Sequence, residues 1–125
     1  LSNGTSVCHG DFHPDNIILA NDEMTAIDWI NVSSGNAFAD VARTCLMIRS
    51  PAMPPGSSKL SIIISKYAKK LISYFYLKEY IKYAEADYRK IDAWILPVAA
   101  ARLCENIPNE EKWLMEIIDD NMKRL

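Results

Sequence analysis

The pattern of hydrophobic and polar positions changes partway along the chain. In the first part, short apolar runs alternate with polar clusters, and residues 5–8 favour a strand. Residues 17–19 and 24–28 flank the segment Ala-Asn-Asp-Glu, which predicts a β-hairpin next to the preceding polar loop. Residues 38–48 then have the apolar spacing of a helix that ends before Pro51.

Beyond the Pro-Pro-Gly break at 54–56 the apolar period is helical. The first helix has one apolar stripe, which we expect to pack on the core and which consists of Leu60, Ile64, Tyr67, Leu71 and Phe75. A second helix over about 88–104 presents Ile91, Ile95 and Val98 on one face. Pro97 predicts a kink in that helix, or the start of a new one.

The last helix is predicted from the residues at its ends. Asn109 is a residue type that caps helices, Glu110 and Glu111 suit a first turn, and Lys123 and Arg124 suit a last turn. We expect this helix to bury Trp113, Leu114, Ile117 and Ile118.

Composition and charge narrow the class of protein. The length fits one domain over 1–125, and the net charge of -2 with half of the residues apolar argues against disorder. No run approaches the ~20 apolar residues of a membrane span, and three cysteines without a CxxC pair fit a reducing compartment. Acidic residues interrupt the lysines and tyrosines of 66–90. We therefore expect a soluble, cytoplasmic protein without a membrane or nucleic-acid partner.

The candidate chemistry is concentrated in the first third of the chain. Asp11 is followed by Asn16 five residues later, and the predicted hairpin has the right length to return Asp28 beside them. An amide and a carboxylate oxygen, from Asn16 and Asp28, would suit Mg²⁺, which takes few protein ligands and keeps water or phosphate oxygens. Asp11, left off the metal, would orient a hydroxyl and accept its proton during attack on phosphorus.

These residues resemble a known family. His9-Gly10-Asp11, Asn16 and Ile27-Asp28-Trp29 resemble the catalytic and metal-binding loops of the aminoglycoside phosphotransferase and choline kinase superfamily, which has a protein-kinase-like fold. The segment 35–42 resembles the one that follows the metal loop in that family, with Asn36 at an often acidic position. The resemblance implies that Asp11 is the catalytic base and His9 organises its loop. It also implies that Asn16 and Asp28 hold Mg²⁺ and the nucleotide, and that Asp40 supports the loop.

The resemblance covers about residues 5–50 and implies one lobe of a two-lobed enzyme. We expect an α+β, mainly helical C-terminal lobe in which a small hairpin carries the catalytic and metal loops of 1–50, and 57–125 forms a helical, substrate-side subdomain. The N-terminal sheet lobe, with its nucleotide loop, Lys and partner Glu, is absent from the sequence. The ATP site is therefore expected to be incomplete and the piece inactive alone. The implied partners are that missing lobe of the same protein and a small-molecule hydroxyl acceptor.

Further residues have two interpretations each. Arg102 lies on an otherwise apolar stripe, so it either contacts substrate or phosphate or forms a structural ion pair. Trp94 and Trp113 either face a cationic substrate or pack in the core. Asp92 and Glu105 either bind an amine or lie at the surface.

Two other functions compete with the phosphotransferase interpretation. A kinase-like lobe without its partner lobe would suit a non-catalytic binding or assembly module. A metal-dependent hydrolase would use Asp11 and His13 as a DxH pair, but the sequence has no histidine after His13 to complete a two-metal site.

Overall fold

Two small antiparallel sheets precede four α-helices in the computed structural model, which describes residues 1–124. The strands are β1 Ser6–Cys8, β2 Ile17–Ala20, β3 Glu23–Ala26 and β4 Ser33–Gly35. The helices are α1 Ala37–Arg49, α2 Lys59–Ala84, α3 Tyr88–Leu103 and α4 Glu111–Met122. Short 3-10 turns span Pro14–Asn16 and Trp29–Asn31. This architecture confirms the predicted α+β, mainly helical class.

The predicted hairpin forms, with a tighter turn than expected. β2 pairs with β3 so that Ile17 faces Ala26 and Ala20 faces Glu23. Asn21 and Asp22, at φ 51° and 62°, make the two-residue turn in the left-handed conformation that tight hairpins require and that Asn and Asp tolerate. β3 ends at Ala26, so Asp28 lies beyond the strand that the sequence predicted to contain it.

β1 and β4 form the second sheet, of which the sequence predicted only the first strand. Ser6 pairs with Gly35 and Cys8 with Ser33. Directly after β4, the Asn36 side chain accepts a hydrogen bond from the Phe38 N–H and caps α1. The pairing therefore places the end of β4, and with it the start of α1, beside the start of β1.

α1 lies at the centre of the helical part and contributes to two hydrophobic clusters. In the first, Val41, Ala42 and Cys45 of α1 pack on Ile91 of α3, with half-buried residues of α2 and α3 around them. In the second, Leu46 packs on Ala99 and Leu114, with half-buried side chains from α3 and α4 around them. The predicted inner faces of α3 and α4 are thus confirmed, and α3 runs through Pro97 as one helix.

The prediction that this apolar stripe forms the inner face of α2 is wrong. Leu60, Ile64, Tyr67, Leu71 and Phe75 are between 50% and 70% exposed. The helix instead contacts the core with the neighbouring side of its second half, which carries Ser73, Tyr76, Leu77, Tyr80 and Ile81. α2 therefore has apolar side chains both toward the core and away from it. No helix within residues 1–124 is both long enough and apolar enough to cross a membrane.

A buried ion pair determines how α4 begins. Arg102 of α3 donates from Nε and a terminal nitrogen to the two carboxylate oxygens of Glu110, each at 2.8 Å. Glu110 is 1% exposed and is the residue before α4, while Asn109 adopts a left-handed conformation at φ 67°. The predicted cap by Asn109 is therefore wrong, because burial of the Glu110 carboxylate against Arg102 sets the chain path there.

Replacing Arg102 with Met should strongly destabilise the fold, because the Glu110 carboxylate would stay buried without a partner. We expect the free energy of unfolding in urea to fall by about 3–5 kcal/mol. The double variant Arg102→Met, Glu110→Met should recover most of this loss, since it removes both charges. Arg89→Met, which removes an exposed pair with Asp87, is the control and should change little. An Arg102→Met protein as stable as the parent would refute the prediction.

Candidate functional site

The loop after β1 is held by one carboxylate from the first turn of α1. The Asp40 oxygens accept hydrogen bonds from the His9 N–H at 2.9 Å and the Gly10 N–H at 2.8 Å. Because Asp40 also lies at the N-terminal end of α1, the helix dipole favours its negative charge. The residue implied as structural support thus directly fixes the two residues before Asp11.

The His9 side chain joins this loop to the end of the hairpin. It is buried, and its Nε2 lies 2.9 Å from the Ile27 carbonyl oxygen, which only accepts hydrogen bonds. Its Nδ1 accepts from the Asp11 N–H at 3.3 Å. These partners require the neutral ring with its proton on Nε2. His9 is therefore arranged to organise the loop, and Trp29 covers its ring at 4.4 Å between centroids.

Asn16 contacts Asp11 directly. The buried Asn16 amide donates from Nδ2 to the Asp11 carbonyl at 2.8 Å and lies 3.3 Å from the Asp11 carboxylate. No hydrogen bond found within residues 1–124 uses the Asn16 side-chain oxygen. The nitrogen of the Asn16 amide thus orients Asp11, and the oxygen of the same amide is available to another partner.

Asp28 is brought back toward Asn16 by the hairpin. The Ile27 N–H donates to the Asn16 carbonyl at 2.9 Å, so the residue before Asp28 is fixed next to Asn16. Asp28 itself is at φ 61° and ψ 58°, a left-handed conformation that Asp tolerates better than most residues. Its side chain is exposed and does not cap the turn that follows.

The donors that the hairpin brings together suit a hard cation. Asn16 offers one amide oxygen and Asp28 one carboxylate, the oxygen types that Mg²⁺ binds while keeping several waters. Within the described part of the chain, no three His, Cys, Asp or Glu side chains gather as a metal-binding group. Any cation held here would take most of its ligands from water or from a bound phosphate.

A cavity of about 510 Å³ opens beside Asp11. Its charged lining consists of Asp11, Asp15, Lys69, Arg102, Glu105 and Glu110, and Ile48 and Ile72 contribute apolar surface. Arg102 is already paired with Glu110, and the Lys69 ammonium donates to the Ser50 and Ala52 carbonyls. The Asp11 carboxylate, 30% exposed, is thus open to a molecule in a pocket rich in carboxylates.

Arg43 is a residue of this site that sequence reasoning missed. Its Nε donates to the Gly10 carbonyl, and its Nη1 donates to Glu105. Glu105 also accepts from Arg102 at 3.1 Å, so Arg43 connects the loop to the α3–α4 region. Its position three residues after Asp40 places both side chains on one face of α1, which is the signal that could have identified it.

The three substrate candidates lie in different places. Arg102 borders the cavity next to Asp11, although its guanidinium is engaged by Glu110 and Glu105. Trp94 packs on the first hydrophobic cluster, as the core interpretation predicted. Asp92 lies within 3.5 Å of Arg124 and lines other hollows of the surface, away from the cavity that contains Asp11. Only Arg102 of the three is beside Asp11.

Burial and the Asp40 carboxylate act together on two ionisable side chains near the loop. Burial, and secondarily the Asp40 carboxylate, raise the pKa of the Cys8 thiol above its ordinary value. Burial followed by the same carboxylate also raises the pKa of the Tyr80 hydroxyl. No ion pair within residues 1–124 involves Asp40, so backbone amides rather than a cation balance its charge. Cys8 is accordingly a buried thiol whose thiolate form is disfavoured.

Comparison with known proteins gives one match, over the loop-bearing part of the chain. The model of the phosphotransferase enzyme family (APH) matches residues 3–58. This segment contains His9, Asp11, Asn16, Asp28 and Asp40, and the match confirms the resemblance predicted from their spacing. Helices α2 to α4 lie outside it. No curated protein and no solved structure matched the chain.

Replacing Asp40 with Asn should loosen the loop, because the amide offers one oxygen where the carboxylate offers two and loses the charge that strengthens both hydrogen bonds. We expect unfolding free energy to fall by about 1.5–3 kcal/mol. Hydrogen exchange at the His9 and Gly10 amides should accelerate more than at α4 amides. Asp22→Asn, at the exposed hairpin turn, is the matched control and should leave both readouts unchanged. Unaltered exchange at His9 and Gly10 in Asp40→Asn would contradict this role.

Proposed function

We propose that this chain is the C-terminal catalytic lobe of an ATP-dependent small-molecule kinase, because the model of the phosphotransferase enzyme family matches residues 3–58. The reaction transfers the γ-phosphate to the hydroxyl of a small acceptor, in the cytoplasm. One observation supports it above the others. Asp40 and Asn16 together hold the loop so that the Asp11 carboxylate lies at the mouth of a 510 Å³ cavity.

Asp11 is the proposed catalytic base. An acceptor hydroxyl in the cavity would donate a hydrogen bond to its carboxylate and lose its proton there, as the oxygen bonds to the γ-phosphorus and the bond from that phosphorus to the leaving ADP breaks. The Asn16 amide, which donates to the Asp11 carbonyl, holds the carboxylate in place. The proposed contribution of the protein is mainly positioning, since phosphoryl transfer needs little covalent chemistry from it.

Asn16 and Asp28 are the proposed magnesium ligands. Their oxygens suit Mg²⁺, which when bound with ATP neutralises charge on the phosphates. The remaining nucleotide contacts would come from a second lobe of the same protein that supplies a phosphate loop, a Lys and its Glu partner. The acceptor is a small alcohol, and Asp11 and Asp15, the lining carboxylates that no Lys or Arg pairs within residues 1–124, favour one that carries a positive charge.

Asp11→Asn should strongly slow transfer in the protein that includes both lobes, because the amide cannot accept the hydroxyl proton. We expect kcat with γ-labelled ATP and a panel of amino alcohols and sugars to fall by about 10²- to 10⁴-fold. The matched control Asp22→Asn makes the same chemical change at the hairpin turn and should retain full activity. If Asp11→Asn keeps the parent rate, Asp11 is not the base; if the parent transfers phosphate to nothing, the binding-module interpretation gains support.

The 125 residues alone should not transfer phosphate, because they lack a glycine-rich phosphate loop to position ATP. We expect no labelled product above background in the same assay, with ATP and Mg²⁺ at millimolar concentration. Robust transfer by these 125 residues, lost in Asp11→Ala, would overturn this expectation.

A further inference from the structure

Both polar groups of Gly10, the residue before Asp11, are held by side chains of α1. Its N–H donates to Asp40 at 2.8 Å, and its carbonyl accepts from Arg43. Gly10 is at φ 76°, and a Cβ there would lie 2.7 Å from the Asn31 carbonyl oxygen, so a larger side chain does not fit. Because glycine allows the backbone more conformations than other residues do, the direction in which the chain enters Asp11 depends on such contacts.

The Arg43 contact acts on the peptide unit that carries Asp11. The carbonyl of Gly10 and the N–H of Asp11 belong to one planar unit, so a hydrogen bond to one of them orients the other. The Asp11 N–H makes a long contact, at 3.3 Å, with the His9 ring. A hydrogen bond from a charged guanidinium is roughly twice as strong as a neutral one. Arg43 is therefore the stronger of the two side chains that orient this unit.

Arg43 is placed to act through the backbone and not by contact with the acceptor. Within residues 1–124, the lining of the 510 Å³ cavity includes Asp11 but not Arg43. Arg43 borders a separate hollow of about 300 Å³, together with Cys8 and Trp94. Its guanidinium therefore acts on Asp11 by way of the Gly10 carbonyl.

Glu105 holds the Arg43 side chain in turn. Arg43 has many rotamers, so a second contact is needed to keep its guanidinium on the Gly10 carbonyl. One Glu105 oxygen accepts from Arg43, and the other accepts from Arg102 at 3.1 Å. Arg102 is itself fixed by its buried pair with Glu110. The contacts that hold the Gly10 carbonyl thus extend into the part of the chain outside the family match, which ends at residue 58.

We infer that Arg43 and Glu105 are positioning residues of the phosphoryl transfer, an inference that rests on the proposed function. Arg43 orients the peptide unit that carries Asp11, so that the carboxylate meets the acceptor hydroxyl at the distance and angle that proton transfer requires. Glu105 keeps Arg43 in place. The segment after α3 therefore contributes to the rate of transfer.

Steady-state kinetics of the protein that includes both lobes test the role of Arg43. Arg43→Ala should lower kcat by about 10- to 100-fold, because a misplacement of about 1 Å can cost that much, and should leave both KM values within about twofold. In an Asp11→Asn background the same change should cost less than about twofold more, since Arg43 acts through Asp11. Arg49→Ala, which removes an exposed arginine of the same helix, is the matched control and should retain the parent kcat.

A second variant separates two roles of Glu105. Glu105 also borders the cavity, where it could bind an amine of the acceptor. If it holds Arg43, Glu105→Gln should lower kcat by about three- to tenfold with the acceptor KM unchanged, and should cost nothing further in the Arg43→Ala background. A higher acceptor KM with an unchanged kcat would overturn the assignment and identify Glu105 as an acceptor contact.

Hydrogen exchange tests the contact without an assay of activity. In the 125-residue protein, exchange at the Asp11 amide should accelerate in Arg43→Ala and keep the parent rate in Arg49→Ala, while the α4 amides stay protected in both. Unchanged exchange at Asp11 would overturn the inference.

Three further outcomes are decisive. An equal loss of kcat from Arg43→Ala in the parent and Asp11→Asn backgrounds would overturn the inference, because a structural or nucleotide-binding role multiplies the two effects. Loss of protection in α4 of Arg43→Ala would overturn it as well, since it would show a general structural role. Transfer to no acceptor by the parent protein would instead overturn the proposed function, so the two failures are distinguishable.

Discussion

The candidate site depends on one carboxylate that accepts two consecutive backbone amides. Asp40 holds the His9 and Gly10 N–H groups, and α1, which carries it, is packed on several sides by the hydrophobic core. A rigid, buried helix therefore fixes the conformation of an otherwise irregular loop. Hydrogen bonds to a charged acceptor are stronger than neutral ones, so this contact is well suited to that purpose. Its charge needs no cation, because the amides and the start of α1 stabilise it.

From this contact a continuous set of hydrogen bonds reaches the remaining site residues. His9 is held by Asp40 through its backbone and holds the Ile27 carbonyl through its ring. The Ile27 amide is bound by the Asn16 carbonyl, and the Asn16 side chain binds the Asp11 carbonyl. Each group is oriented by one partner and orients the next. Such networks are rigid when every member is satisfied, which is what a site that works by positioning requires.

The helical region outside the family match is coupled to the same loop by charge. Glu105, beyond α3, accepts from both Arg43 and Arg102, and Arg43 also holds the Gly10 carbonyl. Arg102 in turn engages the buried Glu110 before α4. From the sequence, Arg102 could either contact substrate or form an ion pair, because sequence alone does not reveal which buried acid is its partner. Periodicity predicts which face of a helix is buried. The ion-pair network of Arg43, Arg102, Glu105 and Glu110 joins α1, α3 and the segment before α4, so it depends on how these parts pack together.

Sequence patterns correctly predicted those features of the fold that depend on interactions between residues close together in the chain. The hairpin turn at Asn21 and Asp22, the inner faces of α3 and α4, and the grouping of Asp11 and Asn16 all follow from short-range spacing. β4 could not be found this way, because Ser-Ser-Gly has no strand preference and pairs only because β1 lies beside it. α2 shows the opposite difficulty: it has apolar residues on two sides, and periodicity cannot decide which side meets the core. The aromatic side of Tyr76 and Tyr80 packs inward near Asp40, so the more regular aliphatic stripe is left at the surface. A helix with two apolar faces has more apolar surface than this domain covers, which explains why the exposed stripe was assigned to the core.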